Sequence, residues 1–164
     1  MAVRLIKIAM VASCALFALM VAFNNLADYG SNFAFVRHVL SMDTTFPDNA
    51  LKGRAIDAPW MWTAGYWLII ATEALTGLLL GWGAVRLVCH ATAPAARFNA
   101  AKTPALLGVG LGFLLWFTGF MVVGGEWFLM WQSATWNGQQ AAFRFYMTLL
   151  VVGLLLNQPD QDLA

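Results

Sequence analysis

Four long runs of apolar residues constrain the fold of this chain more than any other feature of its sequence. A transmembrane helix needs about 20 mostly apolar residues, and four segments approach or exceed that length, at about 7–24, 60–88, 104–131 and 140–157. Composition agrees, because apolar residues make up 61% of the chain and charged residues only 10%, too few to cover a soluble domain. The sequence therefore predicts an all-α integral membrane protein, a single membrane domain over residues 1–164 with four transmembrane helices in an antiparallel bundle.

The connection between the first two predicted helices, residues 25–59, is long and carries four of the eight acidic residues. Apolar residues between positions 33 and 40 recur at helical spacing, whereas Arg37 and His38 fall on the opposite face. An amphipathic segment of this kind favours the membrane surface. We therefore expect a long outer loop that carries a short interfacial helix between helices 1 and 2.

Positive charges near the ends of the apolar runs predict the orientation. Five of the nine fall at the N-terminus and around the second connection: Arg4, Lys7, Arg86, Arg97 and Lys102. Cytoplasmic loops of membrane proteins are enriched in Lys and Arg. The sequence therefore predicts a multi-pass protein of a bacterial inner (cytoplasmic) membrane with both termini in the cytoplasm and residues 25–59 outside.

Tryptophan is concentrated at the predicted outer ends of the second and third helices. Six of the eight tryptophans lie there, at positions Trp60, Trp62, Trp67, Trp127, Trp131 and Trp136. A belt of indole rings at the level of the lipid headgroups accounts for part of this pattern. The restriction to one side also suggests a packed outer cap, or an outer-face surface for interaction with another protein.

Polar groups inside the apolar runs are the next candidates, because each is costly in lipid. Glu73 lies midway along the second run, which predicts a position near the bilayer centre, where it is either neutral or partnered. Thr72 and Thr76 on the same helix and Thr118 on the third are candidate partners. The functional alternatives are a proton relay or cation site, and a neutral carboxyl that links two helices.

Glu126 and Arg144 are a predicted ion pair. Glu126 lies near the outer end of the third run and Arg144 near the outer start of the fourth, with a short connection between them. The two helices should therefore be antiparallel neighbours, and pairing would lower the cost of both charges. A role for Arg144 in binding a substrate carboxylate is the alternative.

Two pairs of glycines predict a close approach between the second and third helices. Gly77 and Gly81 are four residues apart in the second run, and Gly108 and Gly112 are four apart in the third. Such spacing lets the backbones of two membrane helices come close together. Folding the chain about the middle of the connection puts Gly81 at the depth of Gly108, and Gly77 at that of Gly112.

Motifs for enzymatic chemistry are absent from the sequence. There is no GxxxxGK[ST] nucleotide loop, no HExxH zinc motif and no GxSxG nucleophile motif. The net charge of +1 offers no basic face for nucleic acid. We expect no catalytic residues, no metal, no cofactor and no nucleic-acid partner.

Three segments of the sequence resemble those of a known protein family. These are residues 24–33, residues 36–47, and residues 124–133 continuing through 136–140 to Arg144. Together they resemble a bacterial family of predicted small integral membrane proteins with a domain of unknown function. The resemblance implies a four-helix inner-membrane protein and implies no activity.

The favoured function is that of a non-catalytic accessory or assembly subunit of a larger inner-membrane complex, a respiratory complex being one candidate. Its expected partners are membrane lipids and other integral membrane subunits or a second copy of itself. The alternative is a small proton-linked transporter, or a lipid- or quinone-binding protein, that uses Glu73 and the pair of Glu126 and Arg144.

Overall fold

Helices build the fold of residues 1–162, the part of the chain that this computed structural model describes. In chain order they are α1 (Ala2–Ala27), α2 (Tyr29–Ser41), α3 (Pro59–Cys89), α4 (Ala95–Ala101), α5 (Thr103–Phe113) and α6 (Gln139–Asn157). A π-helical stretch, Leu114–Trp127, continues α5 without a break. Four segments are long and apolar enough to cross a membrane: Ala2–Ala27, Pro59–Cys89, Ala95–Trp127 and Gln139–Asn157. The predicted all-α class with four candidate spans is confirmed.

The described helices are antiparallel neighbours in the membrane-spanning part of the chain. α1 packs along α3, α3 along α5, and α6 against α5 and the π-helical stretch. Four crossings bring the first and last described residues to one side, called the terminal side below. The segment between α1 and α3 lies on the opposite side, called the long-loop side.

The contact between α1 and α3 depends on glycine. A Cβ atom at Gly77 would lie 2.6 Å from Cγ of Leu19, and one at Gly81 would lie 3.9 Å from Cβ of Ala15. In this register, α3 extends beyond the end of α1 on the long-loop side. At about 1.5 Å per residue, the part of α3 that precedes Glu73 is about 20 Å long, and α2 packs against α3.

The second and third predicted helices meet as predicted, but the glycines of the second helix do not lie in that contact. Gly77 and Gly81 face α1, whereas Gly108 of α5 approaches Leu80 of α3, with 2.8 Å between a built Cβ and Cγ of Leu80. Gly112 lies against Thr76 of α3 and Leu149 of α6. Residues 80 and 81 point about 100° apart on a helix, so a match in depth does not determine the face that carries the contact.

The third predicted span differs from the structure at both ends. The short helix α4 precedes it, inside what was predicted as a connection, and the π-helical stretch ends at Trp127, not at position 131. Gly124 and Gly125 weaken the final turns, because glycine loses more backbone entropy than other residues. Leu129 then adopts a positive φ of 55°, which turns the chain away from the helix axis.

The long-loop side is tied together by hydrogen bonds. Ile56 donates its backbone N–H to the carbonyl of Leu40 at 2.8 Å, which returns the chain to the end of α2. Thr44 donates its hydroxyl to Oγ of Ser133 at 2.9 Å, joining this loop to the connection before α6. The predicted outer loop therefore contains a helix, α2, and a well-connected segment after it.

Candidate functional site

A buried polar cluster joins α1 and α3 on the long-loop side of the fold. Asn25 donates from Nδ2 to Oε2 of Glu73 at 2.7 Å, and Tyr66 donates its hydroxyl to the carbonyl of Asn25 at 2.8 Å. Glu73 is 2% exposed and Tyr66 1% exposed. The carboxyl group is therefore held by a side chain from another helix, and a second buried residue holds that side chain's backbone.

The register of α1 against α3 sets the place of Glu73 within the fold. Asn25 belongs to the last turn of α1, so the carboxyl that it contacts lies near the long-loop end of that helix, although Glu73 is midway along α3. The predicted position near the bilayer centre stays a prediction.

The threonines predicted as partners do not contact the carboxyl group. Thr76 is fully buried, and its hydroxyl has no hydrogen-bond partner among the described residues. Thr118 is exposed on the π-helical stretch. Asn25 was missed because it follows the first apolar run directly; an amide at that boundary, together with the buried acid, was the available signal.

The cluster lines a small cavity of about 220 Å³, called the inner cavity. Its polar lining comes from Glu73, Asn25, Asn32 and Tyr66, and no Lys, Arg or His lines it. The remaining wall is largely apolar and includes Trp116 of the π-helical stretch and residues of α6. A carboxyl group therefore faces a cavity that has no cationic side chain.

A larger, almost wholly apolar cavity of about 510 Å³ adjoins the first and is called the outer cavity. Residues of α2, α3 and the π-helical stretch line it, with Thr72 and Thr118 as its hydroxyl side chains. Four residues line both cavities and form the partition between them: Phe35, Val36, Ile69 and Phe120. The rings of Phe35 and Phe120 stack at a centroid distance of 6.1 Å.

The π-helical stretch supplies one wall of both cavities, which sequence reasoning did not foresee. Long π-helical segments are rare, and π-type distortions of helices are frequent at functional sites. Trp116 and Phe120 of this stretch reach the inner cavity, while Leu114, Gly119 and Val123 line the outer one. No residue pattern distinguishes this stretch from an ordinary apolar helix.

Five of the six outer tryptophans contact the segment between α1 and α3. Trp62 donates Nε1–H to the carbonyl of Ile56 at 2.6 Å. The other contacts are Trp67 with Tyr29, Trp127 under the Arg54 guanidinium, Trp131 with Phe46, and Trp136 stacked on His38. Trp60 is 71% exposed. None of the six lines either cavity.

A half-exposed aromatic surface remains on the long-loop side. Trp127, Trp131 and Phe46 are 53%, 46% and 52% exposed, and Arg54 lies 4.5 Å above the ring of Trp127. Arg54 also donates from Nη1 to the carbonyl of Trp127 at 3.2 Å. We call these four residues the aromatic cap.

The predicted ion pair between Glu126 and Arg144 is wrong. Both residues are exposed, and they are not within ion-pairing distance of each other. Exposed charges keep their hydration, so little free energy is gained by holding two long side chains together. The π-helical winding before Glu126 also differs from the regular α-helix that the prediction assumed.

A second buried polar cluster, absent from the predictions, closes the terminal side. Asp160 accepts hydrogen bonds at Oδ2 from Nζ of Lys7 and Nζ of Lys102, both at 2.6 Å, and all three side chains are buried. Arg4 donates to the carbonyls of Ala91, Ala93 and Gln161. Burial raises the pKa of the Asp160 carboxyl, but the hydrogen bonds and charges of Lys102 and Lys7 outweigh burial and hold that pKa below its ordinary value.

Comparison with protein families gives one finding, which covers nearly the whole chain. A family model described as "Predicted small integral membrane protein (DUF2165)" matches residues 3–159. No curated protein and no solved structure matches the chain.

Proposed function

This chain belongs to that family of predicted small integral membrane proteins, and from this premise we propose that it is a non-catalytic accessory or assembly subunit of a larger membrane complex. It docks on another integral membrane protein through the aromatic cap. The proposal includes the bacterial inner membrane as its location, with the terminal side in the cytoplasm.

The observation that carries the proposal is the exposure of the aromatic cap on a segment that hydrogen bonds already hold in place. Phe46 donates its backbone N–H to Oε1 of Gln132 at 3.1 Å, and the Thr44 hydroxyl donates a hydrogen bond to Oγ of Ser133. Surfaces that are ordered before binding lose less entropy when a partner docks. Tryptophan and arginine are also the residues that most often dominate binding energy at protein interfaces.

The place of the aromatic cap favours a membrane-embedded partner. Trp127 ends the π-helical stretch, and Trp131 follows within a few residues, so the surface begins where a candidate membrane span ends. Aspartates at positions 43, 48 and 57 belong to the same loop as Phe46 and Arg54. An apolar or aromatic patch with a basic edge, at the same height on a neighbouring membrane protein, is the complementary surface.

The transporter alternative has lost part of its support. Its gate was to be the pair of Glu126 and Arg144, and these residues do not pair. Glu73 remains as a buried carboxyl beside a cavity, but one such group on one side of the fold does not make a path across it.

A photo-crosslinking amino acid at position 131 tests the proposal in native membranes. We expect one discrete crosslinked protein that is an integral membrane protein and co-purifies stoichiometrically in mild detergent. The same crosslinker at Leu16, which is exposed on α1, controls for collision with abundant neighbours. The W127A/W131A double variant should lose the partner, whereas L16A should keep it. Crosslinks only to lipid, or only to a second copy of this chain, would overturn the proposal.

A further inference from the structure

We propose that the two adjoining cavities form one binding site for a membrane amphiphile whose head donates hydrogen bonds and carries no negative charge. An alcohol or an amine on a long apolar chain has this chemistry. The chain lies in the outer cavity and the head reaches the inner one. This site is separate from the aromatic cap.

The outer cavity has the character of an apolar-chain site. Its volume of about 510 Å³ falls within the range of about 300–1,000 Å³ that is usual for small-molecule pockets. Leu68, Leu114 and Val123 line it and are also exposed on helices that face the membrane interior. The cavity therefore opens sideways toward lipid, and a molecule dissolved in the bilayer reaches it without crossing water.

The inner cavity determines the chemistry of the head. Asn25 already donates to Glu73, and Tyr66 donates its proton to the carbonyl of Asn25. The second carboxyl oxygen of Glu73 and the lone pairs of the Tyr66 hydroxyl accept hydrogen bonds. A head with an O–H or N–H satisfies them, and an ammonium group also attracts the ionised form of Glu73.

An anionic head is disfavoured for the same reason. No Lys, Arg or His lines the inner cavity, so a carboxylate or phosphate would face Glu73 without a compensating cation. A buried charge that has no partner of opposite sign is costly. This separates the proposed site from a general groove for phospholipid, whose common headgroups carry phosphate.

The partition allows the two cavities to act together. Phe35 and Phe120 line both, and neither is fully buried. Side-chain rotation in such positions is fast compared with ligand exchange. Rotation of the two rings lets the head enter the inner cavity while the chain stays outside the partition.

Photoactivatable probes of equal chain length test the proposal on the full protein in phosphatidylcholine nanodiscs. The probes are diazirine-bearing hexadecanol, hexadecylamine and hexadecanoate, and mass spectrometry locates the labelled residues. We expect the alcohol and the amine to label residues of the partition roughly tenfold more than the acid, equivalent to about 1.4 kcal/mol. Equal labelling by the acid, or labelling spread evenly over lipid-facing residues, overturns the proposal.

Substitutions that fill the outer cavity, with a matched control, make the assignment specific. Gly65→Leu places a side chain in the outer cavity, where a Cβ meets Leu40 and Val36 at ordinary contact distance. It should lower alcohol labelling about tenfold, a loss of about 1.4 kcal/mol. The matched control is Gly110→Leu, because a Cβ there meets nothing within 4 Å. Thr118→Leu fills the same cavity from the π-helical stretch and decides the question if Gly65→Leu does not fold. Unchanged labelling in the folded cavity variant refutes the site.

Glu73→Gln separates charge from hydrogen bonding in the head. The amide keeps an acceptor oxygen but has no charge. Alcohol labelling should stay within about twofold, whereas any preference for amine over alcohol should disappear. If alcohol and amine labelling are both unchanged and the acid is still excluded, then Glu73 does not select the head and the proposal fails.

Discussion

Replacing Asp160 with asparagine should destabilise the terminal side by removing the one carboxylate shared by two buried lysines. Nζ of Lys7 and Nζ of Lys102 each lie 2.6 Å from the same oxygen, so the two ammonium groups are at most about 5 Å apart. At an effective dielectric constant of about 20, their repulsion at that separation is about 3 kcal/mol. Stranding buried charges typically costs about 3–5 kcal/mol. We expect the free energy of unfolding to fall by that amount.

The measurement is an unfolding titration with SDS in mixed micelles, followed by tryptophan fluorescence. Asp162→Asn is the matched control, because this aspartate is two residues away, is exposed and accepts a hydrogen bond from the backbone N–H of Ala95. It should cost less than about 1 kcal/mol. Adding Lys102→Met to Asp160→Asn should recover part of the loss, since only one ammonium then lacks a counter-ion.

The pH dependence of the parent protein provides an independent check. Because the folded pKa of Asp160 is below its ordinary value, its contribution to stability is complete above about pH 4, where an unfolded aspartate is ionised. The contribution is lost as the pH falls through the folded pKa. The difference in stability between parent and Asp160→Asn should therefore shrink below about pH 4.

One result would refute the reasoning about the terminal side. Suppose that the free energy of unfolding of Asp160→Asn lies within about 0.5 kcal/mol of the parent value, and that amide exchange at residues 158–162 is unchanged. The shared carboxylate then does not hold residues 158–162 against α1 and α5. A loss confined to exchange in the tail would instead show local release without global destabilisation, and would contradict the predicted magnitude.

Three further predictions concern the membrane-spanning part of the chain. Asn25→Ala should cost about 1–3 kcal/mol in the same titration, because the buried carboxyl loses its donor; full stability would contradict the cluster. Gly77→Ala should cost about 1–3 kcal/mol, since its Cβ would lie 2.6 Å from a leucine of α1, whereas Gly110→Ala should cost nothing. Glu126→Ala and Arg144→Ala should have additive effects, because the two side chains do not pair; coupling above about 0.5 kcal/mol would refute this.

The number and extent of the spanning helices could be read from the sequence because the bilayer imposes a length. Any helix that crosses the membrane must present about 20 apolar residues whatever it packs against. The four predicted runs accordingly fall within the four helical segments of the structure, except for the last residues of the run at 104–131. The amphipathic stretch that became α2 was equally visible, because its apolar residues repeat at helical spacing.

The contacts between helices were decided by the tertiary structure. In a helix that is apolar nearly all round, lipid and protein neighbours accept the same side chains, so no pattern marks the face that meets another helix. The spacing of Gly77 and Gly81 was therefore visible in the sequence, but the helix that Gly77 contacts was not. The π-helical winding of residues 114–127 could not be predicted from the sequence either.

The polar clusters depended on the tertiary structure for a related reason. Glu73 was recognisable as a costly group because its environment was predictable, but Asn25 lies 48 positions away and meets it only through the register of α1 against α3. Lys7 and Asp160 are 153 positions apart. A buried charge can be recognised in the sequence as a group that needs a partner. The identity of that partner depends on the register between the helices, which is fixed only when the helices pack.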